Sequence, residues 1–199
     1  MPLNVDLQAG SAGNISISKS ITTFGGSFNG SGADFDNTGG AITTAGGAAT
    51  LNHSGSVTIG AAIDASGAGN GALAVTAGTI ALGANLKGSG SLSLQPFSST
   101  ATIRLGDVAA GAAAPGDLAL DNTEVSKIQN GFTGITIGHS SGTGPVIIDG
   151  TAGGLTFNDA RSLAVDRWRD GARSRARDFA RRCAKRGDAR HERHGHHVT

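Results

Sequence analysis

Ile21-Thr22-Thr23-Phe24-Gly25-Gly26 is answered 21 residues later by Ile42-Thr43-Thr44-Ala45-Gly46-Gly47, and Ile63-Asp64-Ala65-Ser66-Gly67 begins one further equal step along. Apolar residues spaced by two and then four lead into the pattern: Ile15, Ile17 and Ile21; Val57, Ile59 and Ile63; Ile80, Leu82 and Leu86. An alternating pair follows, Leu73 and Val75 after Ile63, then Leu92 and Leu94 after Leu86. Spacing by two puts side chains on one face of a strand. Helical spacing is missing from the stretch.

A fixed period of this size, built from short strands, marks a solenoid in which no unit buries its apolar face alone. The predicted fold class is all-β: a parallel β-helix with coils of about 21 residues, three short strands each, joined by turns rich in Gly, Ser, Asn and Asp. Stacking at that period predicts one interior column of Ile17, Thr38, Ile59 and Leu82 and another of Ile21, Ile42, Ile63 and Leu86. The apolar members, Ile17, Ile21, Ile42, Ile59, Ile63, Leu82 and Leu86, are the candidate structural residues. Around Thr38 the pattern offers Asp36 and Thr38 where neighbours offer Ile or Val, with Phe28 and Gly30 as the later pair, so this coil is expected to be the looser one. Between Ile63 and Leu86 the step grows to 23, which a longer turn at Ala68-Gly69-Asn70-Gly71 absorbs.

Composition supports the repeat. Aromatics make up 4% of the 199 residues and Tyr is absent, too little for a conventional globular core but enough for a narrow interior of Ile, Val, Leu and Ala. A disordered Gly/Ser linker lacks regularly placed β-branched residues and is set aside. The formal charge of +1 conceals two unlike halves: residues 1–160 carry four basic and ten acidic residues, hence −6, and residues 161–199 carry twelve and five, hence +7. Cys183 is the sole cysteine, so no disulfide closes within the chain. The start, Met1-Pro2-Leu3-Asn4-Val5-Asp6, has neither the basic nor the apolar region of a signal peptide, and a fragment of a longer exported protein is the expectation.

The predicted organisation is a solenoid region over residues 1–160, clearest over 15–94, and an Arg/His-rich tail over 161–199. Gln95-Pro96 is expected to close the periodic block, because Pro lacks a ladder donor. Gly106 to Gly116 reads as a loop or protruding insertion. Asn122 or Thr123 is expected to cap a short helix in which Val125 and Ile128 share a face, with Asn130-Gly131 as its stop. Strand signals resume at Ile135 and Ile137, Val146 to Ile148, and Leu155 and Phe157, as one or two more coils ending at Phe157-Asn158-Asp159. From Arg161 the period stops and Arg dominates. The abrupt change is that of a gene decoded in another frame; an irregular or partly helical extension, or a segment gripping nucleic acid or a membrane, are the alternatives.

The Ile-Thr-Thr-x-Gly-Gly phrases at 21 and 42, the Val57-Thr58-Ile59-Gly60-Ala61-Ala62-Ile63-Asp64 segment and the block Ile128-Gln129-Asn130-Gly131-Phe132-Thr133-Gly134-Ile135-Thr136-Ile137-Gly138 resemble the repeats of filamentous haemagglutinin-like bacterial exoproteins, over roughly residues 4–160. The resemblance implies a right-handed β-helical shaft, secretion through an outer-membrane pore partner, placement outside the cell or on the bacterial outer-membrane surface, and a part in adhesion. Its partners would be neighbouring coils of a longer chain and host-surface or matrix receptors or glycans. Nucleic acid is not an expected partner.

No catalytic, cofactor or metal site is predicted. A carbohydrate-active β-helix enzyme, the runner-up, would need carboxyls suitably spaced with a base nearby. The body offers Asp34, Asp36, Asp64 and Asp107 with Lys87 and Arg104, and turn or surface use accounts for these Asp residues. Gly30-Ser31-Gly32-Ala33-Asp34-Phe35 is a single copy of a calcium-like motif that needs several. His53 and His139 are expected to be exposed in turns. In the tail, His191, His194, His196 and His197 offer adventitious metal affinity, and Arg186-Gly187-Asp188 matches an integrin-type tripeptide that arises easily by chance.

Overall fold

Four times over, the chain lays down three short strands and returns to stack on itself. The computed structural model describes residues 1–106, 114–149, 155–158 and 163–166. The first coil is β1 (Val5–Gln8), β2 (Ile15–Ser16) and β3 (Ile21–Thr22); the second is β4 (Phe28–Gly32), β5 (Phe35–Asp36) and β6 (Ile42–Thr43). The third is β7 (Ala49–His53), β8 (Ser56–Ile59) and β9 (Ile63–Ala65); the fourth is β10 (Leu73–Ala77), β11 (Thr79–Leu82) and β12 (Leu86–Gly88). Strands of equal place pair in parallel from coil to coil, so each coil's main chain is hydrogen-bonded to its neighbours on three faces. The architecture is a parallel β-solenoid. It has two four-stranded sheets, β2-β5-β8-β11 and β3-β6-β9-β12, beside a first face, β1-β4-β7-β10, that later strands extend.

The column Ile21, Ile42, Ile63 and Leu86 is in direct register, and Ile128 continues it through a parallel bridge to Leu86. Ile42, Ile63 and Leu86 are buried, Ile21 on the first coil half-buried. Burying side chains of this size contributes about 1.5–3 kcal/mol each. The Ile-Thr-Thr-x-Gly-Gly phrase makes the following corner. Thr22 and Thr43 point outward, while the buried hydroxyls of Thr23 and Thr44 donate to the carbonyls of Gly26 and Gly47. Phe24 and Ala45 take left-handed φ of 53° and 55°, and the first Gly of each phrase follows at 94° and 97°. At the third corner Ala65 replaces the Thr, and the longer turn over 68–71 carries Asn70 at φ 53°.

The second predicted column needs correction at one place. Phe35, not Asp36, pairs with Ile15 and Val57, so Phe35 and Asn37 point inward while Asp36 and Thr38 are exposed. The cause is one extra residue in the corner: seven steps separate Phe35 from Ile42, against six from Ile15 to Ile21 and six from Val57 to Ile63. Counting back from Ile42 therefore lands one residue off, and in a strand such a slip inverts every side chain. Thr38 leaves the column; Ile17, Ile59 and Leu82 are buried. Asn37 is fully buried and replaces the bonds the widened corner gives up: its Nδ2 donates to Gly40 O and Ala61 O, and its Oδ1 accepts from Gly60 N.

Nor is this second coil loose. Phe28 and Phe35 are buried, with ring centroids 6.4 Å apart in an edge-on arrangement, and Phe35 lies 5.4 Å from the ring of His53. Aromatic volume fills what the missing Ile and Val leave.

Gln95-Pro96 does not close the stack. β13 (Ser91–Pro96) pairs along its length with β10, and β16 (Gly134–Gly138) then pairs with β13 across an intervening excursion. That excursion holds β14 (Ile103–Gly106), β15 (Leu118–Leu120) and a helical turn, α1 (Asn122–Val125); β14 is flanked by β15 and by β17 (Val146–Asp149) in a separate parallel sheet. The helix cap is Asp121, in a capping box with Glu124, instead of Asn122 or Thr123. Val125 and Ile128 are both buried. Phe132, also buried, sits against Gly88, where a methyl would overlap its ring.

β18 (Leu163–Asp166) adds to β16, giving the first sheet the order β1-β4-β7-β10-β13-β16-β18. Parallel pairing thus extends past Phe157-Asn158-Asp159. One compact unit spans Met1–Trp168; the other, Arg169–Thr199, lies outside the described residues.

Candidate functional site

The polar side chains sort by their place on the coils. Along the corner between the first and second sheets they form a ladder: Asn14 Oδ1 accepts from Asp34 N at 3.2 Å, and Asp34 Oδ1 accepts from Ser56 N at 2.6 Å and Ser56 Oγ at 2.8 Å. The amide and then the hydroxyl of Ser56 hold the Asp34 carboxyl below its usual range, slight desolvation opposing and nearby His53 assisting. Asp36, exposed, is lowered likewise by the hydroxyl and amide of Thr38. These two carboxylates act as turn acceptors.

On the third sheet Asp64 and Lys87 are register partners on adjacent coils, with Lys87 Nζ 3.8 Å from Asp64 Oδ2. Asp64 Oδ1 also takes the amide and hydroxyl of Ser66. Asp107 lies outside the described residues, as do Arg186, Gly187 and Asp188 and the tail histidines. Arg104 pairs with Asp117, Nε to Oδ2 at 3.6 Å. Among the described residues no group of three or more His, Cys, Asp or Glu comes together, and no helix is long and apolar enough to cross a membrane.

Among the described residues an open cleft of about 330 Å³ lies between Thr79-Ile80-Ala81 of β11 and the stretch from Ala114 to Ala119, with Asp117 and Glu124 in its wall. Burial raises the Glu124 carboxyl above its usual value; the amides of Leu82 and Asp121 oppose this, and the charge of Asp121 adds to it. A raised carboxyl beside a second one is a pattern that catalytic sites use. Here, however, each oxygen already serves a backbone amide. Glu124 Oε1 accepts from Leu82 N at 3.0 Å and Oε2 from Asp121 N at 3.1 Å; Asp117 Oδ1 accepts from Thr102 N and Oδ2 from Ala114 N, both at 3.1 Å. Glu124 anchors the excursion to the stack by satisfying an amide on the last strand of the second sheet, and Asp117, just before β15, ties Thr102 at the entry to β14 to Ala114.

The outward side of the first face is different. From β4 through β16 it presents Asn29 and Ser31, Thr50 and Asn52, Ala74 and Thr76, Ser93 and Gln95, and Thr136, a field without charge on strands roughly 4.8 Å apart. The corner polar groups are bonded within the molecule; this sheet's outward side chains are turned to solvent.

His53 departs from its expected exposure. As the last residue of β7 it continues the inward alternation of Ala49 and Leu51 and is fully buried. His139 is half-buried, its Nδ1 2.8 Å from Ser141 Oγ. Alternation from Leu51 could have placed His53 inside, and the Asp121-x-x-Glu124 spacing could have announced the cap. Nothing in the local sequence signals Asp117.

No family model matches the chain, and no curated protein or solved structure matches it.

Proposed function

We propose that this chain is part of the shaft of a secreted or cell-surface bacterial adhesin, with a mechanical and non-catalytic role. The observation that carries the reading is the unbroken axial ladder. From Val5 to Ile137, every coil of the first face hands its backbone bonds to the next, so force along the stack is borne by parallel main-chain hydrogen bonds instead of by side-chain contacts. Interior columns such as Ile21, Ile42, Ile63 and Leu86 keep water from those bonds. Cleft carboxylates whose oxygens all meet backbone amides support a structural use over a hydrolytic one.

In this reading neighbouring coils are the chain's first partners. Surface receptors or glycans would meet the outward side of the first face from β4 to β16, beyond the exposed Asp6 of β1, where the lack of charge suits hydrogen bonding to a neutral polyhydroxylated chain better than ionic capture. Export through an outer-membrane partner rests on the resemblance of the repeats alone. The test is to label intact producing bacteria with antibody raised against residues 5–94. Surface labelling, removed by external protease, is the expected result; antigen found only after lysis overturns the proposal.

A further inference from the structure

We propose that His53 is an acid-sensitive pin of the second and third coils: as a neutral ring it completes their interior, and on protonation it drives that part of the stack open. The ring is fully buried, and neither Nδ1 nor Nε2 has a hydrogen-bond partner among the described residues. In register beside it is Gly32, and a methyl built on Gly32 or Gly30 would lie 3.5 Å from Nδ1 or Nε2 respectively. The backbone of the two glycines thus lies close against the imidazole. Phe35 packs on it at 5.4 Å, and Phe28 packs on Phe35.

This surrounding is apolar on almost every side. The packed elements contribute Gly30 and Gly32 from β4 and Phe35 from β5. Among the described residues the ionisable group acting on the ring is Asp34, whose Oδ1 is already engaged by Ser56. Burial therefore lowers the proton affinity of His53 more than Asp34 raises it. A charge placed there would have no hydrogen bond and only the attraction of Asp34 against its desolvation, and is disfavoured.

The sign follows from proton counting. With its folded value depressed, the native chain binds fewer protons than the unfolded chain, whose histidines titrate near about 6.5. The contribution of His53 is fully present above that value and is lost as pH falls through it toward the folded value. Opening begins where β4, β5 and β7 meet and brings Phe28 and Phe35 to water. The inference rests on the fold alone and stands whether or not the chain is a surface shaft.

Thermal melting of the full chain from about pH 8 to about pH 5, for wild type and His53→Leu, tests it. Wild type should lose about 2–4 °C more in Tm over that range than the variant does. His139 and the tail histidines remain in both chains and cancel in the comparison. Parallel profiles for the two proteins overturn the proposal. Amide exchange, corrected for the intrinsic rate, should accelerate at least tenfold on acidification over Phe28 to Ile59 and not over Leu73 to Leu94; equal acceleration in both overturns it. Should His53→Leu fail to fold, the ring-proton NMR titration of wild type decides: a His53 midpoint well below 6.5 supports the pin, and one at or above it does not.

Discussion

Residues 15–94 and residues 97–132 solve the same problem by different means. In the first region each buried side chain sits beside its counterpart one coil away, and of the polar groups inside, Thr23, Thr44 and Asn37 bond within their corners or to the next coil while His53 is packed without a hydrogen bond among the described residues. In the second, β14 pairs with β15 out of circuit, and carboxylates take the place of repetition: Asp117, Asp121 and Glu124 satisfy amides at Thr102, Ala114, Leu82 and their own helix cap. Where neighbours repeat, the main chain does most of the capping, with Asn14, Asp34 and Asn37 adding corner bonds. Where the repeat lapses, carboxylates fix the amides that hold the excursion together and join it to the stack.

The sharpest way to break this contrast is Ile42→Asp. Position 42 is fully buried between Ile21 and Ile63, and no cation lies in that column. The loss should be about 4 kcal/mol or more, read as a fall in the denaturant midpoint, because an unpaired charge has no partner in the stack. An unchanged midpoint would remove position 42 from the interior. Phe35→Ala comes next, at about 3–5 kcal/mol, since the second coil has aromatic volume where others have Ile or Val. A cost below about 1 kcal/mol would mean that Phe28 and His53 collapse into the space unaided.

Periodicity made the stack legible because it reports register directly: Ile21, Ile42 and Ile63 are equally spaced and pair as spaced. It failed at Thr38 for a local reason. One added residue in a Gly-rich corner leaves no compositional mark, yet it inverts the preceding strand, and Asn37 looks like an ordinary turn residue until its amide is seen spanning coils. His53 was misread because Ser54-Gly55 suggests a turn, whereas the alternation Ala49, Leu51, His53 was the stronger signal. The excursion was least legible. Its order, with β14 between β15 and β17, depends on contacts across tens of residues, and the partners of Asp117 are specified by geometry alone.

Asp117→Ala should therefore separate the two regions. It strands the amides of Thr102 and Ala114 and leaves Arg104, itself mostly buried, without its ion partner. A loss of about 1–3 kcal/mol is expected, with amide exchange quickening across β14 and β15 while β4, β7 and β10 keep their protection. If protection falls equally in both regions, the excursion and the stack form one cooperative unit and the contrast is false.

Lys87→Ala probes the contrast from its quiet side. Lys87 and Asp64 are in register, at 3.8 Å, as a cross-coil ion pair on a regular face, and a sequence reading would rank them above Asp117. Both side chains are more than one-third exposed, so water and salt screen the attraction, and Asp64 retains the bonds from Ser66 when Lys87 is gone. The midpoint should stay within about 0.5 kcal/mol of wild type and be insensitive to added salt. A loss comparable to that of Asp117→Ala would mean that the stack, too, depends on individual polar contacts, and that repetition of the main-chain ladder does not by itself hold the coils together.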